Sequence, residues 1–171
     1  MGTAIPHLTT LGLIGLLSFI GQTSACSADR AAILNAERLR SSEGLAEWQQ
    51  QEAALKGELR GTSERYGREG SLAVLQTYEK AVRSYLDHGF ALYRAYRSAH
   101  QEPPADLVPS LEQRTALLMD VAEEYIKQGS LAMGEGIAAD VVHNYSDLPT
   151  LAPAQRRAEA VLLRYRYRQD Y

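Results

Sequence analysis

Apolar residues recur at intervals of three and four along most of the chain, which is the spacing of one face of an α-helix and predicts an all-α fold class. The longest such pattern covers residues 71–100. Its seam consists of Leu75, Tyr78, Val82, Tyr85, Gly89, Leu92 and Tyr96. We expect this helix to end before Pro103 and Pro104, because proline cannot continue a helix and pushes the preceding residue into an extended conformation.

A narrower stripe lies in front of this helix. Residues 27–61 are polar and rich in helix formers, and residues 41–44 predict a break within them. The apolar stripe after the break consists of Leu45, Trp48, Leu55 and Leu59. Such a thin stripe is typical of a helix that packs against one neighbour. Glycines then predict a connection over 61–70, so the two segments form a long N-terminal helical hairpin.

Helix-capping signals divide the last third of the chain. Ser110 and Gln113 have the spacing of a capping box and predict the start of a helix. Gly129 fits the position just after its end, and Ser130 fits the N-cap of the next helix. That next helix covers residues 131–144 and is rich in Gly and Ala, which favours close approach of a neighbouring helix.

This helix pair resembles one tetratricopeptide repeat (TPR), a unit of two antiparallel helices that touch at small residues. The matching positions are Leu118, Val121, Ala122, Tyr125, Gly129, Gly134 and Ala138. The resemblance implies close helix–helix packing between Ala122 and Tyr125 on one side and Gly134 and Ala138 on the other. It also implies a TPR-like antiparallel bundle, a three-helix unit over 105–171, behind the hairpin.

The first residues follow another pattern. The apolar run over 8–20 is shorter than the roughly 20 residues of a spanning helix, but has the length of a signal-peptide core. It leads to Ser24, Ala25 and Cys26, the only cysteine of the chain. These three residues resemble the lipobox of bacterial lipoproteins, in which the cysteine is acylated and becomes the mature N-terminus.

The lipobox resemblance implies a signal peptide over 1–25, lipidation at Cys26 and a lipid-anchored hairpin over 26–104. An ordinary secretory signal cut after Ala25, a retained N-terminal anchor and a buried helix of a cytosolic protein remain alternatives. In Gram-negative lipoproteins an Asp after the cysteine favours inner-membrane retention. Ser27 therefore implies the outer membrane, with the domain on its periplasmic face.

Charge and motifs point away from several function classes. The formal net charge of −3 gives no global attraction to nucleic acid. Asp140 and His143 lie three residues apart and could form a metal or acid–base pair, but a surface hydrogen bond near a helix end is favoured. Asp120, Glu123 and Glu124 are expected to form a solvated acidic face. We therefore expect no enzyme activity, no metal and no cofactor.

Tyrosine and arginine supply the candidate contact residues, since the chain has ten Tyr and only two Phe. Exposed tyrosines form rigid amphipathic contact surfaces, whereas buried ones belong to the core. The last helix is predicted to turn several arginines outward, toward a protein partner, toward anionic lipid or only toward solvent. The candidate partner-binding residues are Tyr93, Tyr96, Arg157, Arg164, Tyr167 and Arg168.

These patterns predict a non-enzymatic scaffold or assembly factor for a complex of the bacterial envelope, comparable to a pilotin or a TPR adaptor. Its expected partners are envelope proteins and the membrane, reached through the lipid, with no nucleic acid and no small-molecule substrate. Two alternatives stay open. One is an immunity-type lipoprotein that neutralises a periplasmic toxin. The other is a cell-envelope hydrolase that would use Glu123, Glu124, Asp140 or His143.

Overall fold

The computed structural model describes residues 37–146 and 148–169. Its elements are α1 (Ser42–Glu69), α2 (Leu72–Ser98), α3 (Leu107–Lys127), α4 (Leu131–Asn144), a 3-10 turn (Pro149–Leu151) and α5 (Ala152–Gln169). The described residues contain no strand, so the predicted all-α fold class is confirmed. No helix among them is both long enough and apolar enough to cross a membrane.

The start of α1 follows the sequence, but its end does not. Ser41 is the N-cap, and its hydroxyl accepts the N–H of Gly44 at 3.0 Å, which confirms the predicted break. The connection predicted over 61–70 is wrong, because α1 continues to Glu69. Only Gly70 leaves the helix, with φ at 61°, where its N–H still bonds to the carbonyl of Tyr66.

The start of α3 also differs from the prediction. The helix begins at Leu107, so Ser110 lies inside its first turn and is not the N-cap. Pro109 is tolerated there because the first N–H groups of a helix have no partner within it. The Ser110 hydroxyl instead accepts a hydrogen bond from Arg114 Nε at 3.0 Å. Gly129 has φ at 81°, as its predicted position after the helix requires.

Consecutive helices pack antiparallel, whereas helices two apart in sequence run parallel. Along α1 and α2, Trp48 contacts His88 and Tyr66 contacts Tyr78, so the two helices run in opposite directions. Along α1 and α3, the order is the same in both, because Glu52 bonds to Arg114 and Tyr66 to Glu124. The hairpins are therefore stacked side by side in register.

A second layer repeats this arrangement. Side chains join α2 to α4 at Arg83 with Asp140 and at Asp87 with Tyr145, again in the same chain direction. Helix α5 packs on both α3 and α4. One layer thus contains α1, α3 and α5, and the other contains α2 and α4.

One continuous core lies between the layers. Its fully buried side chains come from α2, α3, α4, the 3-10 turn and α5, and the largest include Leu75, Leu86, Phe90, Leu111, Leu118, Tyr125, Ile137 and Leu151. Residues on both sides of the boundary predicted between 104 and 105 belong to this one core. The hairpin and the C-terminal unit therefore share their buried surface.

Helices α3 and α4 approach each other closely at Gly134. A Cβ atom added at Gly134 would stand 2.6 Å from the carbonyl oxygen of Ala122 and 2.6 Å from Ile126 Cγ1. Ala122, Tyr125 and Ala138 are fully buried. Gly134 and Ala122 therefore lie where the two helices come close together.

We expect Gly134→Ala to lower the free energy of unfolding by about 1–3 kcal/mol, because the new methyl group forces α3 and α4 apart. Gly136→Ala in the same helix is the matched control. Nothing lies within 4 Å of a Cβ there, so this variant should gain about 0.5–1 kcal/mol from helix propensity. Urea unfolding of both variants measures the difference. Equal effects at the two sites would contradict the close contact.

Candidate functional site

Two charged residues interrupt the apolar seams of α1 and α3 and are buried together. Glu52 lies four residues after Trp48 on α1, and Arg114 lies four residues before Leu118 on α3. Glu52 is 8% exposed and Arg114 is 3% exposed. Arg114 Nη2 donates a hydrogen bond to Glu52 Oε1. This ion pair joins α1 to α3.

The guanidinium group of Arg114 is bonded at all three nitrogen atoms. Besides the bonds to Glu52 and Ser110, Nη1 donates to the carbonyl of Tyr85 at 2.6 Å. The guanidinium carbon lies 3.7 Å from the centre of the Tyr85 ring, within the range of a cation–π contact. Gly89 makes room for it, since a Cβ there would stand 2.7 Å from Nη1.

A reciprocal pair of hydrogen bonds attaches α1 to α2 beside this cluster. Trp48 Nε1 donates to the carbonyl of His88, and His88 Nε2 donates to the carbonyl of Trp48, each at 3.0 Å. The two rings stack with centroids 4.7 Å apart. His88 Nε2 also lies 3.9 Å from Glu52 Oε2, a buried oxygen with no hydrogen-bond partner among the described residues. The Glu52–Arg114 pair and the Trp48–His88 contacts together fix the positions of α1, α2 and α3 relative to one another.

A third polar network joins α2, α3 and α4. Tyr125 donates to Glu79 at 2.8 Å, and the other oxygen of Glu79 accepts from Arg83 at 2.7 Å. Arg83 also pairs with Asp140 at 2.8 Å. Asp140 is therefore engaged between helices, while His143 is exposed at the end of α4.

Buried tyrosines in this region have altered acidity. Tyr145 donates to Asp87 at 2.6 Å. Burial, followed by the bond to a carboxylate, raises the pKa of Tyr145 well above its ordinary value, and the same two causes raise the pKa of Tyr125 beside Glu79. In both cases the neutral phenol is the form that the fold stabilises.

A cleft of about 250 Å³ opens between α3 and the adjoining ends of α1 and α2. It is lined by Tyr66, Leu75, Tyr78, Asp120, Val121, Glu123, Glu124 and Lys127. Leu75 and Val121 are fully buried and give it an apolar floor. The rings of Tyr66 and Tyr78 are nearly parallel, with centroids 6.2 Å apart. The carboxylates of α3 complete its wall.

Glu124 is the carboxylate of this wall that has a hydrogen-bond partner at each of its oxygens. Tyr66 donates to its Oε1 at 2.8 Å, and Lys127 Nζ lies 3.3 Å from its Oε2. The Tyr66 bond, followed by the Lys127 bond, lowers the pKa of Glu124. Gln128 donates in turn to the Tyr66 hydroxyl at 2.7 Å, which fastens the end of α1 to α3.

The other two carboxylates bind an arginine of the same chain. Arg157 Nη2 donates to Asp120 at 2.7 Å and to Glu123 at 2.9 Å. The prediction that Arg157 faces outward to a partner is therefore wrong, because this side chain bridges α5 to α3. Asp120 and Glu123 remain 62% and 42% exposed, so the acidic face is solvated and also binds Arg157.

The remaining candidate residues are dispersed. Tyr93 is 6% exposed and packs edge-on against Phe90, so its predicted place on a contact surface is wrong. Tyr96 is half-buried beside the core, and Arg164 is exposed. Cys26 and the side chains of Tyr167 and Arg168 lie outside the described residues. In the described ranges, no three His, Cys, Asp or Glu side chains are grouped as a metal site.

Glu52 and Arg114 were not identified from the sequence as a buried ion pair, nor was Tyr66 identified as a residue of the cleft. The signal that could have identified them is the spacing of the stripes. Glu52 falls between Trp48 and Leu55 at steps of four and three, in the middle of the α1 stripe. A charged residue at a seam position indicates a buried partner on another helix, because an unpaired charge in a core is too costly.

Arg114→Met is expected to lower the free energy of unfolding by about 3–5 kcal/mol, because it removes the buried partner of Glu52. The carboxylate then keeps only Lys56, whose Nζ lies 3.4 Å from Oε1 and whose side chain is 59% exposed. The double variant Glu52→Leu with Arg114→Met should recover much of this loss, since both charges are gone. Arg60 and Glu64 form an exposed pair 3.9 Å apart, so Arg60→Met should cost less than about 1 kcal/mol. Additive losses in the double variant would contradict a direct pair.

We expect stability to fall as the pH rises above about 10, the ordinary pKa of tyrosine. The folded state holds the protons of Tyr125 and Tyr145 more tightly than the unfolded state does, so their contribution is complete below that pH and is lost above it. Urea midpoints measured between about pH 8 and 11 should decline less steeply in Tyr145→Phe than in the wild type. Equal slopes would exclude a contribution from Tyr145.

Comparison of the chain with protein-family models, with curated proteins and with solved structures finds no match. Three features of the chain bear on its function: a buried ion pair that joins α1 to α3, a cleft with tyrosine rings and an acidic wall, and the lipobox-like sequence at Cys26.

Proposed function

We propose that this chain is a non-enzymatic lipoprotein of the bacterial outer membrane that faces the periplasm and acts as a scaffold or assembly factor, pilotin-like or TPR-like, for an envelope complex. The observation that carries the proposal is the only cysteine of the chain, Cys26, which follows an apolar run of signal-peptide length and the small residues Ser24 and Ala25. An acylated Cys26 would hold the helical domain at a membrane surface.

The geometry of the helices supports a binding role. Parallel stacking of α1 beside α3, with α2 beneath them, leaves an open cleft whose Tyr66 and Tyr78 rings are of the residue type enriched in protein interfaces. Three of the four side chains that could serve a hydrolase have partners within the fold, since Glu123 binds Arg157, Glu124 binds Tyr66 and Asp140 binds Arg83. A protein-binding adaptor is the function that this arrangement favours.

Mass spectrometry of the mature N-terminus tests the anchor. Expressed in a Gram-negative bacterium, the protein should begin at Cys26 with two or three acyl chains and fractionate with the outer membrane. Cys26→Ser should be neither acylated nor cut at this position. Ser27→Asp is the matched variant for location, because it should keep the acyl chains and move the protein to the inner membrane. An unmodified chain that begins at Met1 would overturn the proposal.

Photo-crosslinking tests the adaptor role. A photoreactive residue at position 127, on the rim of the cleft, should yield one defined conjugate with an envelope protein. The same residue at position 57, on the outer face of α1 where no side chain lies within 4 Å, is the control. Equal cross-linking at the two positions, or none at position 127, would count against a partner held by the cleft.

A further inference from the structure

We infer that the cleft between α1, α2 and α3 binds an arginine side chain presented by the partner protein. The inference deepens the proposed function, on which it rests for the existence of that partner. It comes from three properties of the cleft: its size, its aromatic and apolar floor, and the charge of its wall.

The size of the cleft suits a single side chain. Its volume of about 250 Å³ lies below the roughly 300–1,000 Å³ of pockets that hold drug-sized ligands. The buried floor of Leu75 and Val121 offers apolar contact for the methylene stem of a long basic side chain. The faces of Tyr66 and Tyr78 offer the surface on which a guanidinium group stacks.

The wall of the cleft carries an excess of negative charge. Asp120, Glu123 and Glu124 face two cations, Lys127 and Arg157. The side chain of Lys127 is 70% exposed and reaches Glu124 only at its tip, so an incoming cation can displace it. The same wall repels an acidic segment or an anionic headgroup.

The chain itself shows that this wall binds guanidinium. Arg157 is held by Asp120 and Glu123 through bonds from Nη2 at 2.7 and 2.9 Å and from Nε at 3.1 Å. Glu124 is the adjacent carboxylate on the cleft side. Arginine is favoured over lysine because its planar group donates two parallel hydrogen bonds to one carboxylate while its face contacts an aromatic ring.

The test compares two short peptides with the full-length protein in detergent. One is acetyl-Gly-Arg-Gly-amide, and the other carries citrulline, which has the shape of arginine without its charge. The arginine peptide should bind at least about tenfold more tightly by calorimetry. In NMR spectra it should shift the amide signals of Tyr66, Tyr78 and Val121 in a saturable manner.

Three variants assign the site. Glu124→Gln should weaken binding of the arginine peptide about tenfold. Lys127→Met should strengthen it, because the competing cation is removed, and this gain would not follow from a purely structural role of the wall. Glu58→Gln changes an exposed carboxylate of α1 outside the cleft and should leave binding unchanged. Urea unfolding of each variant confirms that it is folded.

Equal affinity for the two peptides would overturn the inference, as would unchanged or weaker binding in Lys127→Met. Signal shifts confined to α5, or tighter binding of a glutamate peptide, would also overturn it. These readouts do not depend on acylation of Cys26 or on capture of a partner. The cleft can therefore pass this test while the anchor fails its own, and the reverse result would remove only the cleft.

Discussion

The buried ion pair between Glu52 and Arg114 sets the relation of the first three helices. Each residue occupies a seam position that an apolar side chain would otherwise fill, and Gly89 on α2 clears the space in which Arg114 lies. The pair can be buried only if α1 and α3 lie side by side in one register, because a shift of either helix by one turn would leave a charge without its partner. The parallel stacking, and with it the cleft, depends on this register.

Sequence spacing was sufficient to predict the helices that carry broad apolar seams. The residues of α2 and α4 and the close contact at Gly134 follow from three-and-four periodicity and from small residues, since both are local properties of one helix face. The end of α1 was not predictable in this way. Gly61 and Gly67 weaken a helix by roughly 1 kcal/mol each, but Tyr66 contacts Tyr78 and Glu124 on other helices and keeps this segment helical.

The cleft could not be derived from any single segment. Its parts come from α1, α2 and α3. Helical spacing predicts that the acidic residues of its wall are neighbours on one turn, but it does not show which side chains of other helices lie against them. Arg157 shows the same limit, because the direction in which a partly exposed side chain points depends on how α5 crosses α3. Periodicity reports which face of a helix is apolar, whereas ion pairs between helices require the tertiary arrangement.

Helix α1 packs along α2 and reaches α3 only through side chains, so its hold on the rest of the molecule is weaker than that of the central helices. Such a helix forms a cooperative unit that can open while the remaining core stays folded. Because Tyr66 supplies part of the cleft, the cleft is complete only when α1 is docked. A ligand in the cleft therefore shifts the local opening equilibrium of α1 toward the docked state. Ligand binding is thereby coupled to α1, the helix that follows the proposed lipid anchor in the sequence.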